Sequence, residues 1–240
     1  MRLRPEVTLA PGGCGEDLEI ATRFGVRLAA ARDPDQWQLV RSTETVALHA
    51  PQGLGGYQVA ADVANGPMAR RIRTTRRTDP LPRAFGLHRR PGGRIVDATA
   101  GLGRDALVLA SLGCDVIAVE RIPALCVLLE SATRALGIAI EVVCADAEVW
   151  LAALPRKHRP RAVYLDPMFA EQGKAQVKKD MQACRELAGP PADTAPLLAA
   201  ARAVATERVV VKRHPSHPPL AAGVAHAVEA ARVRFDVYLT

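Results

Sequence analysis

The stretch "DATAGLGRDALVLA" (Asp97 to Ala110) sets two glycines, Gly101 and Gly103, between a strand candidate, "RIVDAT", and a helix candidate, "RDALVLASLG". At that position an α/β sheet aims backbone N–H groups and the positive end of a helix at a ligand. Glycine removes the Cβ that would block close approach. Glu120 ends the next strand candidate, "DVIAVE", nineteen residues after Gly101, and offers an acceptor to a pair of ribose hydroxyls. A dinucleotide and S-adenosylmethionine (SAM) both satisfy this arrangement, and Gly101 to Ala106 fits the G-x-G-x-x-A pattern of a nicotinamide fingerprint. The carboxylates lean toward SAM. Asp97, at the strand end, suits a cationic methionine amino group and would repel a pyrophosphate. Asp105 is equally unsuited to a pyrophosphate, although a first-turn acid is also favoured by the helix dipole alone. Asp146, after a third strand candidate, can accept from the adenine amine or cap the helix that follows, and the two roles are compatible.

The second stretch is "YLDPMF", Tyr164 to Phe169, at the end of a fourth strand candidate. The exocyclic amine of a base is a poor nucleophile, because its lone pair is delocalised into the ring. Asp166 and the carbonyl of Pro167 can accept its two N–H bonds, hold the nitrogen in line with a sulfonium methyl and favour pyramidalisation. Phe169 can stack on the base, an interaction worth about 1–3 kcal/mol where it has been measured by alanine substitution. The ordinary reading of the same residues is an Asp-Pro turn with a buried aromatic ring. Behind a glycine turn and Glu120, the chemical reading is the stronger.

The elements that must position these residues follow from hydrophobic pattern. From Arg94 onward, short apolar strands alternate with helices, one opening at Pro123 and closing at Gly137. Strands of this kind, without strict alternation, belong to a parallel sheet covered on both faces. "RVVVKR" reads as a further strand, and "AHAVEA" and "RFDVYLT" are close enough to form a terminal antiparallel hairpin. The amino-terminal part reads as a helix around Glu16 to Ala31 followed by strands "WQLVRS" and "TVALHA". The expected organisation is a small α+β domain over residues 1–66, an arginine-rich linker or surface segment over 67–92, and a ligand-binding α/β domain over 93–240.

With 240 residues, 49% hydrophobic and 24% charged, the chain has the composition of an ordinary folded protein. No apolar run is long enough to span a membrane, and "MRLRPEVTLAPGGCGED" lacks the apolar stretch of a secretory signal, so a cytoplasmic location is expected. The five cysteines are scattered, and the prolines of "HPSHPP" argue against His214 and His217 as a metal pair, so no metal is expected. The net charge of +7 favours an anionic partner. The charge is clustered: Arg70, Arg71, Arg73, Arg76, Arg77, Arg83, Arg89 and Arg90 fall in one segment whose one acid is Asp79. A solvated connector has no need of that concentration, whereas RNA phosphates do. Lys178, Lys179, Lys212 and Arg213 are further phosphate candidates, the alternative for the lysines being a solvated helix face.

"VDATAGLGRDALVLASLGC", "YLDPMF", "VKKDM" and "RVVVKR" together resemble the ribosomal RNA small-subunit methyltransferase J family, from about Gly66 to the carboxyl end. The resemblance implies a class I, Rossmann-like, seven-stranded methyltransferase sheet and methyl transfer from SAM to N2 of a guanine near the 3′ end of 16S rRNA. It implies cofactor contacts at Arg104 and Asp105, Glu120 and Arg121, Asp146 and Ala147, and Asp166. Arg104, Arg121 and Ala147 rest on the resemblance alone. The chain departs from the usual amino-methyltransferase tetrad in having Met168 in place of a second proline, and Ala170 stands where the family has a proline. Outside this family, the tetrad alone also allows adenine N6 or cytosine N4. The other classes are a nicotinamide oxidoreductase, for which no proton donor such as a Y-x-x-x-K pair is present, and a catalytically silent RNA-binding or assembly factor.

Overall fold

In the computed structural model, residues 5–12, 15–41, 45–60, 66–167, 179–189 and 193–240 are described. The elements up to the arginine-rich segment are β1 (Val7–Leu9), α1 (Gly15–Arg23), β2 (Trp37–Arg41), β3 (Val46–His49), β4 (Gln58–Ala60), α2 (Pro67–Thr74) and α3 (Pro80–Ala84). There follow β5 (Arg94–Asp97), α4 (Arg104–Ser111), β6 (Asp115–Glu120), α5 (Pro123–Leu136), β7 (Glu141–Cys144), α6 (Ala147–Ala152) and β8 (Ala162–Leu165). The chain closes with α7 (Lys179–Ala188), α8 (Ala195–Val204), β9 (Arg208–Arg213), β10 (His226–Glu229) and β11 (Arg234–Leu239). No helix among the described residues is long and apolar enough to cross a membrane.

Contacts divide the chain into two units, one of Met1–Ala69, Ile122–Gly137 and Met168–Pro191, the other of Arg70–Arg121, Ile138–Pro167 and Ala192–Thr240. The first holds a four-stranded sheet in the order β1-β2-β3-β4, with β1 parallel to β2 and the remaining pairs antiparallel. Helix α5 packs against α1 and β3 within it, and the Ser131 hydroxyl accepts from the Val46 N–H at 3.1 Å. Helix α1 is shorter than the expected span to Ala31. Gly25 takes φ +74°, and beyond it Arg27 and Ala29 exchange backbone hydrogen bonds with Leu9 of β1. Pairing to a strand thus outcompetes continuation of the helix.

The second unit holds a seven-stranded sheet in the order β10-β11-β9-β8-β5-β6-β7. β9, β8, β5, β6 and β7 run parallel, as the largely buried, non-alternating sequences of the four strands inside the edge strand β7 require. β11 pairs antiparallel with both β9 and β10, so the expected terminal hairpin forms and extends the sheet. Alternation of side chains across the strands gives the sheet two apolar faces. Val96, Ala98, Val163, Leu165, Val209 and Val211 form one core with α8 residues Leu198, Ala201 and Val204. On the other face Tyr164 meets Phe85, with ring centroids 5.7 Å apart.

The arginine-rich segment carries the two short helices α2 and α3, and its end is fastened to the sheet by a buried cation. Arg161, just before β8, donates from Nη1 to the carbonyls of Arg90 and Gly92, each at 2.8 Å, and from Nε to Glu207 at 2.8 Å. Arg161→Ala would leave these acceptors unmatched around a gap. Because Glu207 keeps contact with water and with Arg90, the expected cost is about 3 kcal/mol, the lower end for breaking a buried pair. Urea unfolding of the variant measures it.

Candidate functional site

β5 is the strand at which the order of the sheet reverses: the chain builds outward through β6 and β7, then returns to β8 and β9 on the other side. Connections that leave in opposite directions open a crevice beyond the carboxyl ends of the strands. Asp97 ends β5, Glu120 ends β6, Asp146 follows β7 and Asp166 follows β8. The topology therefore brings four of the expected residues to one edge.

The glycine turn lies over that edge. Gly101 and Gly103 have φ of +53° and +69°, in the left-handed region where a side chain is strained. Gly103 is the cap residue of α4. A Cβ built on Gly101 would meet no heavy atom within 4 Å, so backbone conformation demands the glycine while the space above it stays open. The Gly101 N–H donates to Glu120 Oε2 at 2.8 Å and ties the turn to the end of β6. Asp146 caps α6, its Oδ1 accepting from the N–H groups of Glu148 and Val149 at 3.0 and 3.2 Å. It is exposed, as is Arg104 at the start of α4, while Arg121 and Ala147 are half-buried at the ends of β6 and start of α6.

Beneath the turn lies a network of charges. Lys212 Nζ donates to Asp166 Oδ2 at 2.7 Å and to Asp105 Oδ2 at 3.0 Å. Arg71 Nη2 donates to Asp105 Oδ1 at 2.5 Å, and the Tyr164 hydroxyl to Asp105 Oδ2 at 2.6 Å. The Asp166 N–H donates to Thr99 Oγ1 at 2.6 Å, and the Thr99 N–H to Asp97 Oδ1 at 3.1 Å. Strand register explains the meeting. Leu165 pairs with Val211 and Asp97 with Tyr164, so one step further along the parallel strands Asp166 stands beside Lys212.

The surroundings separate the three carboxyl groups. Burial opposes the charge of Asp105, but Lys212, Arg71 and the Tyr164 hydroxyl outweigh it and hold the pKa at about 2. Asp97 is wholly buried, with one backbone N–H and two neighbouring carboxylates, and is pushed well above the ordinary range by burial. Asp166 is pushed up by desolvation and drawn back by Lys212. Burial disfavours the Lys212 ammonium, yet Asp105 and Asp166 together raise its pKa.

Three of the expected phosphate contacts, Arg71, Lys212 and Arg213, make hydrogen bonds within the protein. Lys212 and Arg71 bind the network, and Arg213 is buried and donates to the Pro218 carbonyl at 2.6 Å. Their charges are matched inside the protein because their strands and helix bring acceptors to them. Arg70, Arg73, Arg76 and Arg77 are exposed. Lys179 belongs to the other unit, its ammonium 6.0 Å from the Tyr57 ring centre. Phe169 and Lys178 lie outside the described residues, whereas Pro167 is buried directly after Asp166. The roles of Lys212, Arg71, Tyr164 and Thr99 in the network were missed in the sequence. A signal was present for Lys212: aligning "AVYLD" with "RVVVK" as parallel neighbours puts Asp166 and Lys212 side by side.

The sheet order, with an antiparallel strand between β9 and β10 and a glycine turn at the switch point, defines the class I methyltransferase fold. A family model described as "Putative SAM-dependent methyltransferase" matches residues 19–240. The crystal structure of a SAM-dependent methyltransferase from Neisseria gonorrhoeae superposes with a TM-score of 0.74 at 29% identity, covering 97% of this chain and 95% of that one. Ribosomal RNA small subunit methyltransferase J of Thioalkalivibrio sulfidiphilus is 42% identical over 208 residues, 82% of this chain and 81% of that protein. The protein of the same name from Chromobacterium violaceum is 37% identical over 256 aligned positions, 97% of each. The chain belongs to the ribosomal RNA small subunit methyltransferase J family of SAM-dependent methyltransferases.

The depressed pKa of Asp105 makes stability depend on acid. Its folded value of about 2 lies below the ordinary 3.8, so the carboxylate stabilises the fold above pH 4 and loses that contribution as pH falls toward 2. The contribution at neutral pH is about 2 kcal/mol at 1.36 kcal/mol per pKa unit. Asp105→Asn should lower stability at pH 7 and flatten its fall between pH 4 and 2, as followed by urea unfolding at a series of pH values.

Proposed function

We propose that the protein transfers the methyl group of SAM to the exocyclic N2 of a guanine near the 3′ end of 16S rRNA in the small ribosomal subunit. The observation that carries this reading is the Asp166-Pro167 pair at the end of β8, beside the glycine turn and Glu120, in a chain whose relatives are named for small-subunit ribosomal RNA. The residues at the sheet edge fit SAM. The open space over Gly101 admits a ligand against the backbone, Glu120 offers a carboxylate to the ribose, and Asp146 stands exposed beside the start of α6 for the adenine amine. Asp97, Arg104, Asp105, Arg121 and Ala147 complete the proposed surround, with Asp105 acting through its hold on Lys212. Bound SAM supplies a methyl group made electrophilic by its sulfonium.

The protein's part is to make the amine a nucleophile. Asp166 and the Pro167 carbonyl accept its two N–H bonds and fix the nitrogen, and Phe169 stacks on the base. The nitrogen loses one proton as it is methylated. Asp166, with a pKa raised by desolvation against the pull of Lys212, accepts that proton or passes it to water. No covalent enzyme intermediate is needed. The base must be unstacked to reach the edge. The exposed Arg70, Arg73, Arg76 and Arg77, with Lys178 and Lys179, would hold phosphates.

The test is transfer from labelled SAM into small subunits lacking their native modifications, followed by nucleoside mass spectrometry. Wild type should form N2-methylguanosine, and Asp166→Ala should fall by about 10²-fold or more while keeping its fold. Label in another base, or none in subunits or naked rRNA despite cofactor binding, would overturn the assignment.

A further inference from the structure

The charge network raises a question that methyl transfer alone does not answer: why a lysine side chain is placed between two carboxylates at the base of the site. Its ammonium has two partners with different freedoms. Asp105 is 6% exposed and locked by Arg71 and Tyr164 as well as by Lys212. Asp166 has a side chain 38% exposed and its backbone held by Thr99. Lys212 is therefore fixed from the Asp105 side, and Asp166 takes its orientation from Lys212. With Oδ2 of Asp166 engaged at 2.7 Å, the role of accepting from an amine falls to Oδ1.

We infer that Lys212 is a positioning residue for the reaction, which, anchored on Asp105, holds Asp166 as an oriented carboxylate ready to accept from the target amine. This rests on the proposed function for its catalytic meaning, though not for the electrostatic hold itself. The groups that face Asp166 are Asp105 on α4, Asp97 on β5, Tyr164 on β8, Arg71 on α2 and Lys212 on β9. Desolvation and the neighbouring acids all favour its neutral form, and the two cations oppose them. A protonated Asp166 would offer one fewer acceptor and could not take the proton the amine releases. Lys212 is the cation in direct contact with it, so removing Lys212 should move protonation of Asp166 upward in pH. Removing the charge of Asp105 should do the reverse, because a repelling carboxylate disappears while the lysine remains.

Two readouts test this. In the first, carboxyl ¹³C NMR follows the Asp166 titration in protein without cofactor, with Asp166→Asn identifying the signal. Lys212→Met should raise its midpoint by about one pH unit, the low end for losing an opposite charge because the group stays partly exposed. Asp105→Asn should lower it, and Lys212→Arg should leave it near the wild-type value. In the second, the acid limb of the pH profile of kcat should shift in the same directions, with KM for SAM of Lys212→Met within about twofold of wild type. Opposite shifts from the two variants cannot come from general loss of structure. An unmoved Asp166 midpoint in Lys212→Met, or a loss confined to KM with an unmoved acid limb, would overturn the inference. Shifted midpoints in a wild-type protein that transfers no methyl group would instead refute the proposed function and leave the hold of Lys212 on Asp166 standing.

Discussion

The ammonium of Lys212 lies between the carboxylates of Asp105 and Asp166, and the site depends on that three-charge contact. Burial at a desolvated sheet edge penalises the charged form of these carboxylates, and the lysine opposes that penalty. One cation is shared between them, with Arg71 as a second for Asp105, so charge is balanced at the carboxyl edge of the sheet. Every partner is supplied by an element whose position is set by other forces. Tyr164 and Asp166 come from the end of β8, Lys212 from β9, Asp105 from the first turn of α4 and Arg71 from α2.

Those elements are held by ordinary packing. The apolar faces of the parallel strands fix the register of β8 and β9, and register fixes the distance between Asp166 and Lys212. The reversal of strand order at β5 opens the edge above them, and two left-handed glycines turn the chain across it. Helix α2 serves two ends at once. Arg71 turns inward to Asp105, while Arg70 and Arg73 on the same helix stay exposed, so a segment rich in arginine both completes the network and presents charge to solvent.

Much of this was legible in the residues. The strand and helix pattern from Arg94 onward, the glycine turn, the cap at Asp146 and the antiparallel terminal hairpin all follow from local rules, and each is present. The partners of Lys212, Arg71 and Arg213 were not legible from charge and clustering. A basic residue reads alike whether it faces solvent or an acid delivered by a strand distant in sequence, and Lys212 and Asp166 are 46 residues apart. The grouping of α5 with the amino-terminal sheet is equally hidden. Its residues from Ala124 to Thr133 are buried, and a helix apolar over so much of its surface does not say which neighbours cover it.

The most direct test of the site is calorimetric titration of SAM into the wild-type protein and into Gly101→Ala. A methyl group at that position meets nothing in the protein, so the variant should fold with only the strain of its left-handed backbone, about 1–2 kcal/mol. If the open space above Gly101 receives the cofactor, affinity for SAM should fall at least tenfold while the fold persists. Unchanged affinity in a folded Gly101→Ala protein would contradict the placement of the cofactor at this edge.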